Sequence, residues 1–413
     1  MLVNFADKAV VGLAGPEIMQ EFGLTRQEFG TAQAAFFSLF SLSALGVSFL
    51  TRTMRTSVLL AVMALLWSAA QLPMLWGAAG FGVLIATRAL LGIAEGPAAP
   101  VAVHHVHGWF GQRERTLPTA VLMVGAAAGV AVAAPALGAV ISHFGWRWAF
   151  GVVGIAGLLW TAAWSAKGTE GPLAPPVGVA RSTESDGMAG ATLRAVFLSG
   201  TFGTAALGAF AAYWVMSAKL TWLPDYLQAV LGWDLSQASA AVGGGAVANG
   251  VVLLAHGLLA RRSSRRGTRG RLPAGAGAGL LLMVSAGAVT VFATVDVPWI
   301  RIPMMFGPMA AGLVMITAAQ TAAARITLPS QRGVVLGALV AVFALGGTVS
   351  PLVLGWIVDS APSVTAGYRS GWLVTAALLL ATGILAALFM RPERDAQRLG
   401  VPLGQDSVVP GPH

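Results

Sequence analysis

Long apolar stretches follow one another along almost the whole chain. Crossing roughly 30 Å of hydrocarbon takes about 20 residues of helix at 1.5 Å per residue. Stretches of about that length can be read twelve times, at 1–16, 29–51, 56–77, 79–103, 115–141, 147–166, 194–217, 234–260, 273–295, 298–323, 333–358 and 369–391. The sequence therefore predicts an all-α membrane protein with twelve transmembrane helices.

Composition supports this prediction and excludes other classes. Hydrophobic residues make up 56% of the 413 residues and charged residues 10%, and the mean hydropathy is +0.76; these values are far from those of a soluble domain. The net charge of +9 does not indicate nucleic-acid binding, because most basic residues fall in predicted loops. The chain has no cysteine, which excludes disulfides, thiolate metal sites and cysteine nucleophiles.

A polar segment divides the twelve helices into six and six. The segment KGTEGPLAPPVGVARSTESDGM is rich in glycine, proline and charge, which is typical of a flexible linker. We therefore predict a six-helix bundle at 1–166, a cytoplasmic linker at 167–192, a second bundle at 193–391 and a cytoplasmic tail at 392–413.

The fifth and eleventh predicted helices resemble each other. Each begins at an arginine, has a glycine-rich middle and reaches a proline after a similar interval, from Arg115 to Pro135 and from Arg332 to Pro351. Two repeated bundles around a central site are typical of alternating-access carriers.

The loop arginines and lysines predict the orientation. Four lie on one side, at Arg26, Arg147, Arg301 and Arg369, and eighteen on the other, at Arg52, Arg55, Arg113, Arg115, Lys167, Arg181, Arg194, Arg261, Arg262, Arg265, Arg266, Arg269, Arg271, Arg325, Arg332, Arg391, Arg394 and Arg398. Because basic loops stay on the cytoplasmic side, both termini are expected in the cytoplasm, with the chain in the cell (inner) membrane.

Five ionisable residues fall inside predicted helices: Asp7, Lys8, Arg88, Glu95 and Lys219. Charges at membrane depth are costly facing lipid, so they are expected to face a cavity and to have a function. Seven residues separate Arg88 from Glu95, which puts them on one helix face about 10 Å apart, too far for direct contact. Substrate or proton handling is one reading; a structural ion pair, such as Asp7 with Arg88, is the other.

Several motifs resemble the anion:cation symporter family of the major facilitator superfamily. They are TRALLGIAEGPAAPVAVHHVHGWFGQRERT and GWRWAF in the first half, NFADKAVVGLAGPEIMQEFGLTRQEFG at the start, and LTWLPDYLQAVLGWDLSQA and GGTVSPLVLGWIVD in the second half. The resemblance implies proton-coupled transport of an organic anion. It further implies that Asp7 and Glu95 carry protons, and that Lys8 and Arg88 bind the substrate carboxylate.

Departures from the family pattern bear on the substrate. Phe5 and Phe40 stand where the family often has tyrosine, and Ala344 stands where it often has asparagine. Each lost partner of a substrate hydroxyl costs roughly 1 kcal/mol, so an aromatic or aliphatic carboxylate is favoured over a sugar acid. Lys219 is an extra basic residue that could bind a second carboxylate, pair with an acid or extend to the interface.

Other residues complete the candidate site. Trp222 is expected to form a wall, and Asn249 and Gln320 to add polar lining. The HHVH segment, His104 to His107, reads as a polar helix end rather than a metal site, and no cofactor is expected. The expected partners are an organic anion, protons and lipid, with no nucleic acid, and the chain is expected to be a monomer.

Two alternatives and one oddity remain. The glycine-rich fifth helix partly resembles proton-coupled exporters, and a membrane sensor or enzyme is the reading from another class, although no catalytic motif is present. The stretch from Met1 to Gly15 spans roughly 22 Å of helix, which is too short for the hydrocarbon. We therefore expect a truncated first helix and a start about 10 to 20 residues upstream.

Overall fold

A computed structural model describes residues 1–46, 50–51, 53–111, 114–174, 192–265, 274–328 and 331–401. Helices and their connections account for the described chain, which contains no strand. Twelve long helical stretches are numbered in order: α1 Leu2–Phe22, α2 Arg26–Leu45, α3 Thr56–Gln71, α4 Phe81–His107, α5 Thr116–Phe144, α6 Trp146–Lys167, α7 Gly200–Ala229, α8 Leu235–Arg265, α9 Ala274–Thr294, α10 Pro298–Arg325, α11 Arg332–Asp359 and α12 Val364–Phe389.

Each long helix overlaps one predicted span. Among the described residues, nine of them are long and apolar enough to cross a membrane by length and composition; α1, α2 and α7 are the other three. Short helices at Leu193–Phe197 and Pro392–Arg398 flank the second bundle. Six loop arginines (Arg52, Arg113, Arg181, Arg266, Arg269 and Arg271), most of the predicted linker and residues 402–413 lie outside the described residues.

Two predicted helix ends are wrong, and in both cases the helix continues through a proline. The first span was expected to end at 16, but α1 continues through Pro16 to Phe22 and ends at Gly23, whose φ of 62° is the left-handed conformation. Likewise α7 continues through Pro224 to Ala229, whereas the predicted span ends at 217. A proline removes one helical hydrogen bond, and packing against neighbouring helices compensates for this loss inside a membrane bundle.

Two other helices are interrupted. In α4, the segments Phe81–Glu95 and Ala98–His107 meet at Gly96 and Pro97. In α10, Pro298–Met304 is followed by Gly307–Ala310, a tight turn at Ala311–Leu313, and Val314–Arg325. The prolines in α10 lack the N–H that would continue the helix, so backbone carbonyls near the break become free to accept other donors.

The two halves of the chain meet through α2 against α11, α5 against α8, and α1 against α7. At the α1–α7 crossing, a Cβ on Gly12 would lie 2.0 Å from the Leu220 carbonyl oxygen. At the α2–α11 crossing, a Cβ on Gly30 would lie 2.6 Å from the Pro351 carbonyl oxygen. Only glycine permits such close approach, so the halves touch backbone to backbone at these two points.

One end of the assembly is held by polar contacts between the halves, and we call it the Asp225 end. Arg26 Nε donates to Asp225 Oδ2 at 2.7 Å, and the Tyr368 hydroxyl donates to the same oxygen. The backbone N–H groups of Arg26 and Gln27 donate to the two oxygens of Asp359 at 3.2 and 2.7 Å. The opposite end, where α6 finishes and α7 begins, is called the linker end.

Candidate functional site

A salt bridge joins α1 to α4 inside the first half. Lys8 Nζ lies 2.5 Å from Glu95 Oε2, and the Glu95 side chain is fully buried while that of Lys8 is 10% exposed. The ammonium also donates to the Asn4 side-chain oxygen at 3.2 Å, one turn earlier on α1. Two predicted site residues are therefore brought into direct contact, and Asn4 is a partner that the sequence analysis did not identify.

Asp7 and Arg88 are both buried beside this pair. The Asp7 side chain is fully buried and lies within hydrogen-bonding reach of the Glu95 side chain, and the charges that act on it are those of Glu95, Arg88 and Lys8. Arg88 donates through Nη2 to the Gln71 side-chain oxygen at 2.6 Å. No Asp7–Arg88 ion pair forms in the described structure, so the structural pair between these helices is Lys8–Glu95 instead.

Aromatic rings surround the Lys8 ammonium. Nζ lies 4.3 Å from the ring centre of Phe5, 5.8 Å from that of Phe40 and 5.9 Å from that of Phe36. Ring faces attract a cation, which partly offsets its removal from water. Phe5 and Phe40 were predicted site residues; Phe36 was missed, although it lies one helical turn before Phe40 on α2.

A narrow cavity, too tight to admit a water molecule as the side chains stand, lies between the halves at this cluster. Its lining combines the two cations of the first half with apolar side chains and one amide: Lys8, Gln33, Phe36, Arg88, Leu91 and Leu220. Gln33 donates to the Thr221 hydroxyl at 3.3 Å, which links α2 to α7. The cavity therefore touches the second half through α7.

Lys219 lies on α7 beside that cavity wall. Its Nζ donates to the Met305 carbonyl at the break in α10, at 2.8 Å, and the residue is half-buried. No carboxylate of the described residues lies within 4.0 Å of Nζ, since the ion pairs found there involve other cations. The sequence left three roles open for Lys219. Among the described residues it does not pair with an acid, and its ammonium contacts a carbonyl inside the bundle instead of extending to the membrane interface.

The remaining predicted site residues are dispersed. Trp222 was expected to form a site wall, but it is fully buried between the halves, where its indole donates to the Pro351 carbonyl at 3.2 Å. Its ring packs against Phe29 and not against the charge cluster. Asn249 and Gln320 are half-buried on α8 and α10, and the structure brings neither into contact with that cluster.

The histidines of the HHVH segment have protein partners at the linker end. His105 Nδ1 lies 2.8 Å from the Thr56 hydroxyl and 3.8 Å from a Glu170 oxygen. Glu170 also accepts the Ser57 backbone N–H at 2.6 Å. Partial burial opposes ionisation of Glu170, but these hydrogen bonds outweigh it and lower its pKa below the ordinary value.

The helical fold and the match to a family of membrane carriers identify the chain as a transporter and not an enzyme. The chain belongs to the Major Facilitator Superfamily, whose family model matches residues 1–318.

Similar proteins are named as carriers of organic acids. A "Probable sulfoacetate transporter" of Cupriavidus necator is 27% identical, over 94% of this chain and 91% of that protein. A "D-galactonate transporter" of Escherichia coli is 32% identical, but over 40% of this chain and 38% of that protein. This chain is thus similar to transporters of small organic acids.

Solved structures support the fold. A bacterial homologue of the human lysosomal transporter Spinster, in an inward-facing conformation, superposes with a TM-score of 0.77 at 18% identity, covering 96% of this chain and 95% of that one. A D-xylose-proton symporter superposes with a TM-score of 0.75 at 14% identity, covering 95% and 96%. The major facilitator fold predicted from the sequence is confirmed.

Proposed function

We propose that this transporter takes up an organic carboxylate together with protons by alternating access. The observation that carries the proposal is the Lys8–Glu95 salt bridge of 2.5 Å beside the buried Asp7 carboxyl group. A cation that is already paired can bind a substrate anion only when its carboxylate partner is released or neutralised. Protonation of Glu95 or Asp7 would supply that neutralisation.

The exchange proceeds as follows. A substrate carboxylate approaches Lys8 and Arg88, competes with Glu95 for the Lys8 ammonium, and leaves the Glu95 carboxylate without its cation. A buried carboxylate without a cation is costly, so it takes up a proton. Substrate and proton then occupy the site together, which couples the movement of one to that of the other.

The lining favours an aromatic or aliphatic acid over a sugar acid. Phe5, Phe36 and Phe40 surround Lys8, and these rings offer no hydrogen bond to substrate hydroxyls. One similar protein, which matches 94% of this chain, is named for sulfoacetate, an acid without hydroxyl groups. We further propose that the chain works as a monomer in the cell membrane with both termini in the cytoplasm.

Glu95→Gln tests the coupling in proteoliposomes with an imposed pH gradient. The variant is expected to lose gradient-driven accumulation of a labelled carboxylate, because its amide cannot exchange a proton, but to keep exchange of labelled for unlabelled substrate. Glu393→Gln is the matched control, since Glu393 is an exposed partner of Arg325 at the linker end. Full accumulation by Glu95→Gln would overturn the coupling role, and equal loss of exchange and accumulation would indicate a purely structural pair.

A further inference from the structure

Among the described residues of the second half, Lys219 is an intramembrane cation without an acidic partner. Lys219 Nζ is held by the Met305 carbonyl at 2.8 Å, and no described carboxylate lies within 4.0 Å of it. An ammonium has three donors, and this bond uses one of them. A half-buried lysine with unused donors inside a bundle is costly unless an anion reaches it.

Lys219 and Lys8 lie at similar depth. Both α1 and α7 run towards the Asp225 end, and they cross where Gly12 meets the Leu220 carbonyl. Lys8 lies four residues before Gly12, and Lys219 one residue before Leu220. At 1.5 Å per residue, their heights along the bundle therefore differ by only about 5 Å.

The two cations sit on opposite sides of the boundary between the halves. Lys8 and Arg88 line the narrow cavity from the first half, and Leu220, the neighbour of Lys219, lines it from the second. The half-buried positions Met216, Lys219 and Leu220 lie within one turn of α7, while its other neighbouring positions are buried. Lys219 is thus one residue from a side chain that lines this space, on a partly exposed section of α7.

We propose that Lys219 is a second anion-binding group, so that this chain selects small dianions with an acidic group at each end. One acidic group binds Lys8 and Arg88, and the other binds Lys219, which exchanges the Met305 carbonyl for the substrate. The proposal rests on the transport function proposed above and narrows its substrate class to acids such as sulfoacetate or a short dicarboxylate.

Charge balance supports two acidic groups rather than one. Three cations, Lys8, Arg88 and Lys219, face two carboxylates, Asp7 and Glu95. The first-half site is neutral before binding and stays neutral when the substrate's first group and its accompanying proton arrive, so Lys219 still lacks a counter-charge. A second acidic group supplies it, and a dianion that spans both halves holds them together during the conformational change.

Purified protein in proteoliposomes tests the proposal with substrates matched in length. The probes are succinate, its monoamide succinamate, which replaces one carboxylate by an amide, and sulfoacetate. For the wild type, succinate and sulfoacetate are expected to have a KM lower than that of succinamate by about tenfold, the value of one charge-assisted hydrogen bond.

Lys219→Met removes the charge and keeps the length of the side chain. It is expected to raise KM for both dianions about tenfold and to change that for succinamate less than about threefold. Lys219→Arg should restore the preference, and Lys167→Met, at the exposed end of α6, should not alter it. Thermal unfolding of each variant checks that the fold is intact.

The outcomes separate the two proposals. Equal KM changes for all three probes in Lys219→Met, or no change for any, would overturn the dianion proposal. Transport of monocarboxylates without charge preference would also overturn it but leave the proposed transport function standing. Absence of uptake of any carboxylate by the wild type would overturn both.

Discussion

The two halves of this transporter share a fold but not a distribution of charge. The first half places four ionisable side chains in one buried cluster, with Lys8 and Glu95 in direct contact. The second half has Lys219 bound to a backbone carbonyl and an aromatic cluster in which Tyr226 packs against Phe292 and Trp372. The buried charge cluster therefore lies in the first half, and the second half contributes mainly packing and one cation near it.

The largest expected effect compares one buried arginine from each half. Arg88→Met leaves Asp7 and Glu95 with one cation fewer; removing a partner from a buried charge cluster costs about 3–5 kcal/mol of stability. Transport should fall at least about a hundredfold. Arg301→Met also removes buried contacts, to the Phe292 carbonyl and the Tyr226 hydroxyl, but should keep transport within about threefold because Arg301 lies outside the charge cluster.

Uptake assays and thermal unfolding of both variants check this comparison. Equal loss of transport in the two variants would mean that both halves contribute charged groups needed for transport, and not mainly the first half. Loss of stability without loss of transport in Arg88→Met would remove Arg88 from the substrate site.

The next largest effect concerns the contact between the halves at Gly12. Gly12→Ala places a methyl group where the Leu220 carbonyl oxygen now lies, 2.0 Å away. The strain of such overpacking is about 1–3 kcal/mol, so uptake should slow about tenfold. Gly203→Ala on α7 is the control, since a Cβ there meets nothing within 4 Å. Wild-type uptake rates in Gly12→Ala would show that α1 and α7 need not approach so closely during transport.

A smaller effect is expected at the Asp225 end. Arg26→Met breaks the pair with Asp225 across the halves, whereas Arg147→Met breaks the pair with Glu21 within the first half. A partly exposed pair is worth about 1 kcal/mol or less, so the Arg26 variant should increase opening of this end by a few-fold. The increase is measured as labelling of Thr221→Cys by a membrane-impermeant maleimide.

The labelling experiment has a clean background because the chain has no cysteine. Thr221 is buried between the halves, so its replacement reports on their separation. Equal labelling in the Arg26 and Arg147 variants would show that the contact between the halves does not stabilise closure of this end.

The smallest effect is expected at the linker end. Glu170→Gln weakens the hydrogen bonds to Ser57 and Thr56 and should lower the free energy of unfolding by about 1 kcal/mol at neutral pH. Because the folded state holds the pKa of Glu170 below its ordinary value of 4.5, this stabilisation is present above pH 4.5 and is lost as pH falls through the lowered pKa. Unfolding monitored against pH should therefore show the two proteins converging in acid, and a constant difference would contradict the assignment.

Hydropathy was enough to predict the number of long helices, because each span must bury about 20 apolar residues. The continuation of α1 through Pro16 and of α7 through Pro224 could not be predicted from the sequence. A proline locally favours a break, but packing against neighbouring helices keeps both helices continuous. Among the charged residues, the sequence indicated that Lys8 and Glu95 lie near each other, but it could not show which ion pairs form. Asp7 and Lys8 are adjacent in the chain and point about 100° apart, so the approach of α4 selects Lys8 as the partner of Glu95.

Trp222 illustrates the same limit. An aromatic residue near charged positions was read as a site wall, but position along a helix does not determine which face meets the other half. The sequence places Phe36, Gln33 and Gln71 inside predicted helices, but nothing in it distinguishes them from other aromatic and amide residues there. Their role emerges only from the packing of α2, α3 and α4 around the cluster.

The backbone contact at Gly12 has a consequence for the speed of transport. Where α1 and α7 cross at Gly12, backbone lies against backbone, so we expect one half to turn on the other here with little rearrangement of side chains. We therefore expect this crossing to add little to the activation barrier of the conformational change. The barrier should depend mainly on the release of charge pairs and the ordering of water. Replacing H2O by D2O should accordingly slow uptake more than increasing the viscosity of the membrane does.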